Sequence, residues 1–264
     1  MSSSSLEGIG WRPELAGALA GSGDELAAAR VVLVERGAYR ISDGDGESAA
    51  VVTGRLRHRA ARGELPVVGD WVGVRAGVIE AVLPRRTVLA RRDPDGSRAQ
   101  VLVANVDTAL VVMGLDGDYN LRRLERYLTL AAGAGVRAAV ILSKADLHPP
   151  AAALAEVAGI ATVVAADLTA QSGVRAVLPL LAPRETAVLL GSSGAGKSTL
   201  LNGLIGQAVQ KTAPVRLHDS RGRHTTTRRQ LFRLAGGALV IDTPGLRAVD
   251  SSQLAPGEAP PRRR

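Results

Sequence analysis

The chain has 264 residues, 46% of them hydrophobic, and a formal charge of +8, enough apolar material for one large or two modest domains and a balance suited to an anionic partner. It has no cysteine, which excludes a disulfide framework and a thiolate zinc site, and its four histidines are scattered singly. No apolar run approaches the ~20 residues that cross a bilayer as a helix, so the sequence predicts a soluble, cytoplasmic, monomeric protein with no membrane contact and no zinc.

Residues 1–30, rich in Ser, Gly and Ala, are predicted to be a flexible leader. Between 31 and 90, short apolar runs (31–35, 51–53, 71–75, 78–83) alternate with Gly, Asp and Arg-rich turns, the pattern of a small antiparallel barrel. One of its turns carries Arg55, Arg57, His58, Arg59 and Arg62 with no acid among them. That run fits either a contact for phosphates or a solvated charged loop.

Beyond residue 99 the texture changes to α/β alternation, with longer strands predicted at 101–106, 108–113, 136–142, 161–165 and 187–190. Asn120 is placed to cap a helix that aligns Leu121, Leu124, Leu128 and Ala131 on one face, and Val174, Val177, Leu178 and Leu181 outline another. Segments 228–235 and 238–242, joined through Gly236-Gly237, read as a hairpin. The α/β domain is assigned to 91–250 and a disordered basic tail to 251–264.

Three motifs in this half carry chemistry. Gly191-Ser192-Ser193-Gly194-Ala195-Gly196-Lys197-Ser198, followed by Thr199, sits between an apolar strand and a helical segment, the context a phosphate-binding P-loop requires. Backbone N–H groups at a helix N-terminus cradle phosphate oxygens, Lys197 reaches the β and γ phosphates, and Ser198 is placed to ligate Mg2+. Asp242-Thr243-Pro244-Gly245 ends the apolar run 239–241, where Asp242 can support the magnesium shell and Gly245 can approach the γ phosphate. Ser143-Lys144-Ala145-Asp146 follows the apolar run 139–142. The carboxylate of Asp146 can accept from N1–H and the N2 amino group of guanine, a pair that adenine lacks, while Lys144 lies along the base plane. The chain holds only three lysines against 30 arginines, and two of the three fall in these motifs. A compact, flexible ammonium serves there where a planar guanidinium does not.

Between the P-loop and Asp242 runs Gly222-Arg223-His224-Thr225-Thr226-Thr227, where a threonine, Thr225 or Thr226, can complete the metal shell, Thr226 being the one assigned. Arginines dominate this stretch, with Lys211, Arg216, Arg221, Arg223, Arg228, Arg229 and Arg233 against Asp219 alone over 206–233. Leu246 stands where familiar switch GTPases carry a water-orienting glutamine, so intrinsic hydrolysis is expected to be slow; His224 is the nearest polar candidate for a catalytic role.

The base-reading element at 143–146 precedes the P-loop at 191, the reverse of ordinary GTPases, so the α/β domain reads as circularly permuted. Permutation, a preceding barrel with Gly69-Asp70-Trp71-Val72, and the runs 222–227 and 242–247 together resemble the ribosome small subunit-dependent GTPase A family over about residues 31–250. The resemblance implies an oligonucleotide-binding (OB) type barrel, a permuted GTPase domain using GTP, GDP and Mg2+, and a partner in the small ribosomal subunit and its rRNA during late assembly. It implies a hydrolytic role for His224 as well. Two departures stand out. Ser143 replaces the family's usual asparagine, which predicts a lost tie between base and phosphate loops and weaker guanine affinity. The family's C-terminal Cys/His zinc module has no counterpart in this sequence, which ends Pro260-Pro261-Arg262-Arg263-Arg264. Alternatives from other classes are a catalytically weak, GTP-regulated RNA-binding protein and an ATP-using P-loop enzyme, the latter unable to exploit Asp146.

Overall fold

The computed structural model describes residues 3–35, 37–58, 65–92, 99–209, 229–243 and 254–256. The expected flexible leader instead carries two short helices, α1 (Ser3–Glu7) and α2 (Glu14–Ala20). What orders it is apolar spacing hidden among small residues: Ile9 is buried, and Leu6, Trp11, Leu15 and Leu19 pack on the main core. Trp11 meets Trp71 edge-on at 4.9 Å between ring centroids.

The barrel comprises β1 (Ala27–Glu35), β2 (Ala38–Ser42), β3 (Glu47–Val52), the short helix α3 (Gly54–His58), β4 (Trp71–Arg75) and β5 (Val78–Val82). Strand pairing runs β1-β2-β3-β5-β4 and returns from β4 to β1, with β3 and β5 parallel, a closed five-stranded ring of the OB kind. Val31, Tyr39, Ile41, Val52, Val72 and Ile79 fill it, and Leu56 of α3 closes one end while Arg55, Arg57 and His58 stay exposed.

Next come β6 (Val88–Arg92), β7 (Ala99–Ala104), β8 (Thr108–Gly114), α4 (Leu121–Gly133), β9 (Arg137–Ser143), α5 (Ala151–Ala158) and β10 (Thr162–Ala166). They are followed by α6 (Gln171–Val177), β11 (Thr186–Leu190), α7 (Lys197–Val209), β12 (Gln230–Arg233), β13 (Leu239–Asp242) and β14 (Leu254–Pro256). Strands β10-β9-β8-β11-β13 lie parallel in that spatial order, with β12 antiparallel beside β13. Consecutive residues of β8 face opposite layers. Val111 and Met113 meet α4 and α5 through Leu124, Tyr127 and Val157, whereas Leu110 and Val112 meet α6 and α7 through Val174, Leu200 and Leu204. Asn120 caps α4, its side chain accepting from the Arg123 N–H at 2.9 Å.

The sheet does not break between barrel and α/β half, because β12 pairs with β1 at Leu33 and Gln230. A second, three-stranded sheet joins β14 to β6 and β7, so residues 254–256 of the expected disordered tail form a strand; the rest of that tail lies outside the described residues.

At the junction, Arg30 is fully buried and donates to Ile9 O (2.6 Å), Thr186 Oγ1 (2.8 Å) and, more weakly, Gly69 O and Asn105 O, with its guanidinium over the Trp71 ring. Burial pulls its pKa down to about 10, opposed by the charge of Asp107, so it remains protonated at neutral pH. Asp107 accepts from Arg12 (2.9 Å), Arg86 (2.5 Å) and the Thr186 N–H (2.8 Å). Asp70 holds Arg85 through both carboxylate oxygens, at 2.8 and 2.7 Å. At Gly69, where φ is +93°, a Cβ would stand 2.1 Å from Ala104 O, which restricts this docking turn of the barrel to glycine.

Candidate nucleotide site

Parallel order places the carboxyl ends of β8, β9, β11 and β13 along one edge of the sheet, the edge where open α/β sheets bind ligands. Each predicted motif among the described residues leaves the sheet here. The loop 191–196 follows β11 and leads into α7, whose first residue is Lys197. Gly191 has a φ of +133°, and a Cβ there would lie 2.1 Å from Val112 O, so the loop can turn this close to β8 only with glycine. The result is a cup of about 170 Å³ lined by Ser193, Gly194, Gly196, Lys197, Ser198 and Thr199. Ala195 and Lys197 are buried beneath it while Ser193, Gly194, Ser198 and Thr199 face out. Lys197 Nζ donates to Gly191 O at 2.6 Å and to Ser192 O, which holds the ammonium against the loop that a polyphosphate would enter.

The second motif sits beside it. Asp242, at the end of β13, is buried, and Thr243 Oγ1 donates to Leu189 O at 2.9 Å, fastening the turn to the strand that feeds the P-loop. Gly245, His224 and both switch threonines, including Thr226, lie outside the described residues.

At the end of β9, Ser143 is 1% exposed, and its hydroxyl donates to Ala195 O in the P-loop at 2.7 Å. This overturns the expected loss of a tie. Serine is shorter than asparagine, but Gly196 lets the two loops approach, with Ser143 Oγ only 3.4 Å from where a Gly196 Cβ would be. Lys144 follows with a φ of +62°, and its carbonyl accepts from the N–H groups of Leu147 and His148, a turn that leaves Asp146 exposed at the rim. The Lys144 ammonium pairs with Asp116, whose carboxyl it holds below the usual carboxylate range.

Two further segments bear on the site and carried no motif signal. The loop after β10 places Leu168 against Gly196, and Ala166 O lies opposite the Ala145 N–H. The loop after β8 brings Asp116 to Lys144 and Asp118 to the Ser192 hydroxyl. Only proximity in the fold reveals either, since in sequence both look like ordinary turns.

A sheet of this order, with the 143–146 turn after β9 and a glycine-built cup after β11, is that of a P-loop GTPase whose motifs run in circularly permuted order. The profile of the RsgA GTPase family matches residues 82–252. The chain belongs to the RsgA GTPase family. A relative from Opitutus terrae, named small ribosomal subunit biogenesis GTPase RsgA, is 48% identical, the match covering 95% of this chain and 75% of the relative. The protein of that name from Syntrophotalea carbinolica is 44% identical, covering 85% of this chain and 66% of the relative. The fold is shared with YjeQ from Thermotoga maritima (TM-score 0.64, 22% identity, 85% of this chain and 77% of that one). It is shared also with YloQ, described as a circularly permuted GTPase (TM-score 0.59, 20% identity, 86% and 74% covered).

Proposed function

We propose that this chain hydrolyses GTP to GDP and phosphate as a factor in late assembly of the small ribosomal subunit, contacting its rRNA. One observation carries the nucleotide half of the reading: the Ser143 to Ala195 hydrogen bond joins a base-reading turn to a phosphate cup at one sheet edge. Asp146 reads guanine, Lys144 lines its plane, and residues 191–199 wrap the phosphates with Lys197 as the charge on the β and γ groups. The donor set fits a hard divalent cation, since Ser198 stands in the first turn of α7 and Asp242 ends β13, both oxygen donors; Mg2+ held there, with Thr226 completing the shell, would neutralise charge on the phosphates. Gly245 approaches the γ phosphate, and His224 is the candidate for positioning the attacking water.

The partner is supported by the names of the relatives and by charge. Arg55, Arg57 and His58 stand exposed on the barrel, and the sequence 206–233 is rich in arginine, a fit to a phosphate backbone. In this reading the chain acts as a cytoplasmic monomer, with a barrel whose strands span 27–82 rather than the expected 31–90 and a permuted GTPase domain assigned to 91–250; no described helix is long and apolar enough to cross a membrane.

Co-sedimentation with purified small and large subunits, at two salt concentrations and with GDP or a non-hydrolysable GTP analogue, tests it. Pelleting with small subunits that is strongest with the analogue and falls steeply with salt is expected. Equal pelleting with large subunits, or none that depends on nucleotide, overturns the ribosomal reading. Single-turnover hydrolysis unaffected by small subunits would favour an RNA-binding protein that holds GTP as a structural ligand.

A further inference from the structure

The loop between β8 and α4 touches both nucleotide motifs, and we infer that Asp118 is a positioning residue that sets the P-loop, and through it Lys197, by holding the Ser192 hydroxyl. The inference rests on the guanine-nucleotide reading of this site. Ser192 Oγ donates to Asp118 Oδ2, and the carbonyl of the same Ser192 accepts from Lys197 Nζ. Turning the 192 peptide therefore moves the ammonium that faces the phosphates.

Asp118 is itself fixed. Arg123 of α4 pairs with its Oδ1 at 2.6 Å, and the same guanidinium nitrogen donates to the Asp118 carbonyl. The Asn120 cap sets the start of the helix that carries Arg123. At the other end of the loop, the Leu115 N–H donates to Ser143 O at 3.0 Å, which continues the β8–β9 pairing, and the Asp118 N–H donates to Asp116 Oδ1 at 3.2 Å. Asp116 in turn pairs with Lys144. A single short loop thus holds the base-side lysine directly and the phosphate-side lysine through Ser192.

Charge explains why two acids are tolerated beside a polyphosphate. Each carboxylate has a cation of its own, Arg123 for Asp118 and Lys144 for Asp116, so neither presents an uncompensated negative charge to the ligand. Asp118 touches no phosphate in this scheme. Its effect appears as how long the nucleotide stays, because a P-loop with a loose 192 peptide lets its N–H groups and Lys197 drift from the geometry that binds.

The test is stopped-flow release of a fluorescent GDP derivative from the full chain and from Asp118→Ala, Ser192→Ala and the double variant. Each single change is expected to speed release about tenfold, the factor that corresponds to losing one charge-assisted hydrogen bond. The double variant is expected to match either single one, because both remove the same bond. Asp118→Asn, which keeps an acceptor for Ser192 but weakens the grip of Arg123, should fall between wild type and Asp118→Ala. Release at the wild-type rate from the single variants, or effects that multiply in the double, overturns the inference, even where melting temperatures fall. If Asp118→Ala does not fold, Asp118→Asn added to Ser192→Ala serves instead: no additional acceleration supports the link, and an independent one overturns it. A folded wild-type chain that binds no guanine nucleotide overturns the site reading itself, whereas normal wild-type binding with unaltered variants overturns only the role of Asp118.

Discussion

At the amino-terminal edge of the parallel strands, Arg30, Asp107 and Thr186 are buried and bonded to one another or to neighbouring backbone; at the carboxyl edge, Ser193, Ser198, Thr199 and Asp146 face outward. Both edges are rich in polar side chains, and composition alone does not separate them. What separates them is where the hydrogen bonds end. At the barrel junction they end within the protein, as in the Asp70–Arg85 pair, so the charges fix how barrel and sheet meet. At the other edge, the protein uses its buried polar groups, Ser143 and Lys197, to shape backbone, and exposes the polar side chains of Ser193, Thr199 and Asp146 along the rim.

The junction is expected to be structural, so removing one of its charges should destabilise the fold rather than weaken nucleotide binding. Asp70→Ala leaves Arg85, mostly buried, without its carboxylate, and should destabilise the chain by about 3–5 kcal/mol in urea unfolding. GDP affinity of the folded fraction should be unchanged; a lowered affinity at unchanged stability would reverse the assignment of the two edges. Lys197→Ala should do the opposite, weakening GTP binding by about a hundredfold, roughly 2.7 kcal/mol, with a smaller change in unfolding midpoint. Titration calorimetry on a variant shown folded by circular dichroism decides it. For Asp146→Asn, competition binding should show preference moving from GTP toward xanthosine triphosphate by about tenfold or more, since an amide can donate to the xanthine 2-oxo group. An unmoved preference removes Asp146 from the base site.

Ser143→Ala should act on both stability and binding, because this hydroxyl belongs to the nucleotide edge yet is buried like the junction groups. It should cost about 1 kcal/mol and loosen GDP about fivefold, measured by equilibrium fluorescence. The smallest effect concerns Asp116, half-buried beside Lys144. Its folded pKa lies below the unfolded value, so the pair contributes stability that is complete above about pH 5 and is lost as the pH falls through the depressed value. Comparing acid unfolding of the wild type with Asp116→Asn should show a small difference at neutral pH that vanishes in acid; a difference that grows in acid contradicts the pairing.

Periodicity and turn chemistry made the parallel strands, the Asn120 cap and the 230–242 hairpin legible in sequence, because each obeys a local rule. The leader escaped. Its apolar residues are spread among Ser, Gly and Ala, and only packing against Trp71 and the sheet core gives Leu6, Ile9 and Trp11 a reason to be ordered. Strand β2 escaped as well, since arginine and tyrosine dilute the alternation of Ala38–Ser42 that Tyr39 and Ile41 complete inside the barrel. Motif spacing located Lys144, Lys197 and Asp242, and the structure places them at one edge. The supporting contacts were illegible for a different reason. Ser143 to Ala195 spans 52 positions and Ser192 to Asp118 spans 74, so no window of sequence holds both partners.

The pairing of β1 with β12 joins Leu33 to Gln230, residues separated by about 200 positions. During synthesis at ~5–20 residues per second, β1 waits roughly ten to forty seconds for its partner. The barrel strands, all within 27–82, can close meanwhile on local contacts, and the 143–146 turn after β9 emerges before the strand that leads into the P-loop. Permutation therefore makes the phosphate cup a late product of translation. Until β11 and β13 arrive, β8 presents an open hydrogen-bonding edge, with buried-to-be Leu110, Val111 and Val112 uncovered, and it is in this interval that the nascent chain is most exposed to aggregation and most in need of a chaperone.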